Sequence, residues 1–195
     1  MQLANGNIAV AWAGTVTGGY SPYFQLYLPS GAKSGVETRV SATALTAAPA
    51  VAVTPLASGA FALAWHRPET TASSPTDIYL QRYTATGVTS GTALRVNVGT
   101  AGVQSDPALA TLASNNFVTA WTDVDNTQEG VAAQAFNSSG ARIALPFAVN
   151  TTQSYSEHLP AIATYNSGAN YLIAWGSWKA GDPNGSVYMQ RFSGP

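Results

Sequence analysis

The side chains able to do chemistry in this chain are few. Its 195 residues hold nine Asp or Glu, eight Lys or Arg, two His and no Cys. Without cysteine there is no thiolate metal site, no disulfide and no cysteine nucleophile. Three carboxylates, Asp123, Asp125 and Glu129, fall in one stretch, "DVDNTQE". Carboxylates with nearby carbonyls suit calcium, so these three are the candidate metal ligands. The stretch lacks the glycine that an EF-hand loop needs at its sixth position, and Asp and Asn also simply make turns. Apart from that calcium option, no cofactor is expected. Trp178 lies near Asp182 in "GSWKAGDPNG". A loop tryptophan can stack on a sugar ring or merely cover a sheet edge. With His66 and Arg67, these two residues form the candidate ligand-binding set. Asp123 and Asp125 alternate along an extended chain, and a pair of carboxyls about 5–9.5 Å apart would suit glycoside hydrolysis. Many solvated loop pairs share that spacing.

The elements that must position these residues come from an unusual composition. Apolar residues are 46% of the chain and charged ones only 9%, with a net charge of −1. The surface is therefore built from Thr, Ser, Asn, Gln, Gly and Ala, as in secreted and cell-surface β-proteins, so an extracellular or cell-surface location is expected. Nothing attracts a nucleic-acid backbone. No apolar run is long enough for a membrane-spanning helix. "MQLANGNIAVAW" lacks the basic start and apolar core of a signal peptide.

The chain repeats itself. "NIAVAW", "AFALAW", "NFVTAW" and "NYLIAW" end at Trp12, Trp65, Trp121 and Trp175, steps of 53, 56 and 54 residues. Each precedes an alternating segment with a central glutamine: Gln25, Gln81, Gln134 and Gln190. A third segment follows a glycine turn, and a fourth opens at Pro49, Pro107 or Pro160. All read as short strands of period two bounded by Gly, Asn, Ser or Pro, with no helical periodicity. Four antiparallel strands at this period suit a β-propeller blade. The expected fold is all-β and β-propeller-like, a single repeat domain over 1–195. Blade 1 (1–46) is partial, blades 2 (47–104) and 3 (105–157) are complete, and blade 4 (158–195) is partial. Along "FALAW", Phe61, Leu63 and Trp65 share one face and Ala62 and Ala64 the other. A sheet with a bulky and a small face can nest on its own copy. The tryptophans are therefore read as core, and the glutamines as buried amides bonded to a neighbouring blade's backbone.

The succession of P-x-[VIL]-A, [FY]-[LV]-x-A-W, [DS]-[IV]-Y-x-Q-R-[YF], a glycine turn and V-N resembles tandem repeats of large bacterial extracellular proteins. Those look like propeller blades, sometimes beside calcium-binding haemolysin-type repeats. The resemblance covers nearly the whole chain and is fullest at Pro49, Trp65, Asp77, Tyr79, Gln81, Arg82 and Gly87. It implies location and fold more than activity.

In such a blade the connections after the tryptophan strands and those leading into the proline strands lie at one end, and they are long and variable, as functional loops are. Most acidic residues and both histidines fall there. The expected function is an extracellular structural or adhesive module that binds a polar partner or self-associates through loops and open blade edges. Its partner is then itself or a longer parent chain. The alternative is a lectin-like, glycan-binding propeller, with calcium as an option. The aspartate box of sialidase-like propellers, a serine-nucleophile motif and a His-rich metal motif are all absent, so the chain is expected not to be an enzyme.

Overall fold

The computed structural model describes residues 1–71, 74–99, 101–125, 128–151, 155–179 and 184–195, without the side chains of 69–71, 74, 125 and 128. It is built of strands. Blade 1 holds β1 (Ile8–Val16), β2 (Gly19–Tyr27) and β3 (Lys33–Arg39). Blade 2 holds β4 (Val51–Pro55), β5 (Phe61–Thr71), β6 (Ser74–Tyr83) and β7 (Thr89–Arg95). Blade 3 holds β8 (Val103–Thr111), β9 (Phe117–Asp125), β10 (Gln128–Phe136) and the two-residue β11 (Phe147–Ala148). Blade 4 holds β12 (Ser156–Tyr165), β13 (Asn170–Trp178) and β14 (Ser186–Ser193). Within each blade, successive strands pair antiparallel; one parallel bridge, Thr76 to Val103, links blades 2 and 3.

Two-sided strands explain how the blades stack. The bulky face of blade 2 (Phe61, Leu63, Trp65 and Tyr83) packs on blade 1's Ala9, Phe24 and Leu26. Blade 3's Phe117, Trp121 and Phe136 pack on Ala62, Ala64, Ile78 and Leu80 of blade 2. Blade 4's Tyr171, Ile173 and Trp175 pack on Val118, Ala120, Val131 and Ala133 of blade 3. Each buried ring removes about 150–250 Å² from water, worth about 4–6 kcal/mol before entropy is charged. Rings also pair across strands within a blade, Trp65 with Tyr79 and Phe61 with Tyr83. Trp65, Trp121 and Trp175 are buried, as expected. Trp12 is only half-buried, because no blade covers the bulky face of blade 1.

Three expectations are corrected here. First, blade 1 has a stub of its inner strand: Met1 and Ala9 exchange backbone hydrogen bonds, and Leu3 N–H donates to Asn7 O. "LANGN" thus makes the same tight turn as "LASGA", where Leu56 N–H donates to Ala60 O. Second, the buried glutamines bond within their own blade. Gln81 Nε2 donates to Arg82 O at 2.8 Å and Gly91 O at 3.1 Å; Gln134 Nε2 donates to Ala144 O at 2.9 Å. A register shift in the β6–β7 pairing leaves carbonyls of the outer chain for the amide to take up. Third, the first three connections after the tryptophan strands are not long loops. β1 runs to Val16 and β2 starts at Gly19, β5 to Thr71 and β6 at Ser74, β9 to Asp125 and β10 at Gln128. Among the described side chains of these arms, Glu129 reaches blade 4 through Ser156, and Arg67 lies over Tyr79 of its own blade.

Candidate functional site

β8 packs between β4 and β12, and the three strands line the inner side of the stack. β8 and β12 each carry a bulge, with register slips between Ser105 and Ala108 and between His158 and Ala161. Pro107 and Pro160 sit in these bulges, where no N–H is required of them. The residues just before them, Asp106 (φ 50) and Leu159 (φ 57), are left-handed. Non-glycine residues in that region are strained by about 1–3 kcal/mol, and such strain clusters at functional sites. Asp106 Oδ2 accepts from Ser105 Oγ at 2.8 Å and from Thr122 Oγ1 at 3.3 Å. Thr122 Oγ1 in turn accepts the Leu159 N–H at 3.1 Å, so one hydroxyl ties the two bulges. From blade 2, His66 approaches Asp106. Burial pushes the His66 pKa below the usual histidine value, against the opposing pull of the Asp106 charge and the Ala48 backbone. His66 Nδ1 accepts the Ala50 N–H at 3.4 Å.

Three residues before each of these prolines stand Gln104 and Glu157. They pair in register with Asp123 and Ser177, each two residues past a core tryptophan. Gln104 is fully engaged. Its Nε2 donates to Asp123 Oδ1 at 3.0 Å and Ala101 O at 2.9 Å, and its Oε1 accepts from Asn97 Nδ2 at 3.3 Å. Asn97 Nδ2 also reaches Asp77 Oδ1 at 2.7 Å, and Asp77 Oδ2 meets Arg95 Nη1 at 3.4 Å. This clasp closes blade 2 onto blade 3. Glu157 is 1% exposed, and its Oε2 finds no hydrogen-bond partner among the described residues. Burial holds its carboxyl above the usual carboxylate range, opposed by Trp175 and Ser177. A carboxyl whose pKa is raised by burial gives up its proton at higher pH than an exposed one.

The residues singled out from sequence are divided. His66 belongs to the axial group. Arg67, next in the strand, faces the other way and lies over the Tyr79 ring, its guanidinium carbon 3.7 Å from the centroid. Trp178 stacks on His158 with ring centroids 4.3 Å apart and keeps 37% of its surface exposed. Gly176 and Gly185 make room for it, since a Cβ at either would lie within 3 Å of the indole. Asp182 lies outside the described residues, as does the side chain of Asp125. Asp123 and Glu129 do not form one ligand set. Asp123 is opposite Gly130 and Glu129 opposite Val124, which puts them on opposite faces of the hairpin. Glu129 Oε2 accepts from Ser156 Oγ at 2.6 Å, while Asp123 serves the clasp. Among the described residues, no group of three or more His, Asp or Glu could hold a metal ion. Among the described residues, no helix is long and apolar enough to cross a membrane. Asp106 and Glu157 were not singled out from sequence. The signal was their nearness to the repeated proline, Asp106 one residue and Glu157 three residues before it.

No family model and no curated protein matches the chain. Solved structures do. The chain is similar over its whole length to an α-L-arabinanase of Penicillium chrysogenum solved with arabinobiose, at 19% identity, a TM-score of 0.67 and 62% of that chain. It is similar to a GH93 α-L-arabinofuranosidase of Fusarium graminearum, also with arabinobiose, at 14% identity, 0.68 and 61%. An endo-arabinase of Bacteroides thetaiotaomicron matches at 13% identity, 0.56 and 74%. The fold is that of a β-propeller. The chain spans about two thirds of the length of these neighbours. The expectation of a non-enzyme is corrected by them: these propellers are glycoside hydrolases. Missing motifs are thus no ground against catalysis on this scaffold.

Proposed function

We propose that this chain forms part of a carbohydrate-active propeller of the glycoside-hydrolase type, which takes an arabinose-containing oligosaccharide at the bulged end of β8 and β12. The observation that carries this reading is Glu157, a buried carboxyl with one oxygen unpaired among the described residues and its pKa raised by burial. Glycoside hydrolysis uses one carboxyl as proton donor to the leaving sugar and a second as base or nucleophile. Glu157 takes the first role. Asp106, hydrogen-bonded by Ser105 and Thr122 and facing His66, takes the second. The half-exposed indole of Trp178, backed by His158, gives a flat apolar surface of the kind on which sugar rings stack. The neighbours' ligand, arabinobiose, supports a furanose sugar. A substrate of this kind fits an extracellular or cell-surface protein.

The test is release of reducing sugar from arabinan and arabino-oligosaccharides. Wild-type protein is expected to hydrolyse them. Glu157→Gln and Asp106→Asn should each lower kcat by about 10²–10⁴, the usual worth of a positioned acid or base. Trp178→Ala should raise KM with kcat little changed. Binding without turnover, abolished by Trp178→Ala, would support the lectin-like reading that this indole favours. Neither turnover nor binding across a broad glycan panel would sink both.

A further inference from the structure

The two outer sheet faces of the stack are open, and they have the shapes that the interior interfaces join. In β14, Val187, Met189 and Arg191 hold the positions of Ile78, Leu80 and Arg82 in β6, since Tyr188 faces Trp175 as Tyr79 faces Trp65. Ile78 and Leu80 are 0% and 1% exposed beneath blade 3, whereas Val187 and Met189 are 81% and 69% exposed. At the other end, Val10 holds the position of Leu63 and Ile173. Those two are 0% exposed, whereas Val10 is 43% exposed.

The outer strands repeat the pattern. Arg82 reaches forward to blade 3, where its Nη1 donates to Ser138 O at 3.1 Å and its Nε would lie 2.7 Å from a Cβ at Gly140. Gly87 packs back in the same way on blade 1, with its Cβ site 3.2 Å from the Phe24 ring. Arg191, the equivalent of Arg82, is exposed and forms no hydrogen bond or ion pair with a described residue. Gly31 has the same left-handed backbone as Gly87 and Gly140 (φ 84, 82 and 85), yet nothing lies within 4 Å of its Cβ site. Blade 4 thus presents an unfilled socket, and blade 1 the plug that fills it elsewhere.

We propose that the small face of blade 4 docks on the bulky face of blade 1 of a second copy, with Val187 and Met189 against Val10 and Trp12, and Arg191 at the turn around Gly31. Three interior interfaces of the same construction argue for this occupant. The contact joins sheet faces rather than loops or strand edges. It is heterologous, so it builds a closed ring or an open chain of copies. It does not depend on the glycan reading.

Light scattering on the full chain across a concentration series tests it. Wild-type protein should exceed the 20.1 kDa of one chain and grow heavier with concentration. Val187→Asp/Met189→Asp and, separately, Val10→Asp should each stay at one chain. Mixed together, they should give a two-chain complex and nothing larger, because one variant keeps the plug and the other the socket. Arg191→Glu should weaken assembly about tenfold or more, the scale of one lost charge-assisted contact. Unchanged circular dichroism would show that the variants fold. A wild type that stays monomeric to several hundred micromolar would overturn the proposal and leave the faces to a blade from a different chain. Val10→Asp still assembling alone would overturn it in favour of a symmetric contact.

Discussion

Blades 3 and 4 place different chemistry on the same repeat position. In blade 3 it is an amide, Gln104, facing a carboxylate, Asp123. In blade 4 it is a carboxyl, Glu157, facing a hydroxyl, Ser177. Both lie in the inner strand, three residues before a bulged proline, and both are buried. The amide can donate and accept at once, so Gln104 links Asp123 to Asn97 and becomes part of a closed network. A carboxylate can only accept, and at Glu157 one oxygen is left over among the described residues. Such a group either keeps a proton or bears an uncompensated charge. One atom's difference, nitrogen for oxygen, thus separates a structural clasp from an acid.

The most severe way to break this comparison is Gln104→Glu. It sets a carboxylate beside Asp123 Oδ1, which now accepts the amide at 3.0 Å. At neutral pH this like-charge pair, buried at position 104 and half-buried at Asp123, is expected to cost about 1–3 kcal/mol. Much of that should return on acidification, when the pair can share a proton. Urea denaturation at two pH values measures both. A loss under about 1 kcal/mol would mean that Gln104 is not held as the clasp requires.

The reverse exchange, Glu157→Gln, should do the opposite. Folded Glu157 keeps its proton to higher pH than the unfolded carboxyl, whose ordinary value is 4.5. Between those values the folded state binds more protons. The group's favourable contribution is therefore full below the unfolded value and is lost as pH rises through the folded one. The glutamine removes that loss. We expect the variant to be more stable than wild type at neutral pH, by a margin that disappears on acidification. On the proposed reading it loses hydrolysis at the same time, a trade-off between stability and function. A Tm difference that does not change with pH would show that Glu157 ionises in the folded chain as it does in the unfolded one.

The repeat made the fold legible because its side-chain alternation follows directly from strand geometry. Phe61, Leu63 and Trp65 against Ala62 and Ala64 imply a two-faced sheet, and the interior interfaces use those faces. The site was less legible. Pro68, Asp77, Asp123 and Glu129 read as loop residues because polar side chains at strand ends resemble those of turns, yet hairpin arms carry them. Polarity reports contact with water, and Glu129 meets Ser156 of the neighbouring blade instead. Glu157 looked like one more surface acid. Only alignment to Gln104 places it indoors, and only the register shows that its cross-strand partner changes from Asp123 to Ser177. Gln25, Gln81 and Gln134 were rightly read as buried, but bonded to the wrong blade, because a strand bulge leaves no mark in the residue types, while Gln190 is only half-buried.

The mildest change tests the electrostatics alone. The Ser177 hydroxyl pulls the Glu157 pKa down, against the larger effect of burial. Ser177→Ala removes one oxygen from a buried face and leaves the packing around Trp175 in place, so stability should change by no more than about 1 kcal/mol. What should move is the titration. With the opposing hydroxyl gone, burial acts with less resistance, and the Glu157 pKa should rise further. Carboxyl chemical shifts followed by NMR would show this, and the alkaline limb of any pH–rate profile should move upward with it, since an acid that keeps its proton longer stays competent longer. If both stay fixed, Ser177 does not reach the carboxyl, and the difference between the two repeat positions then rests on Gln104's partners alone.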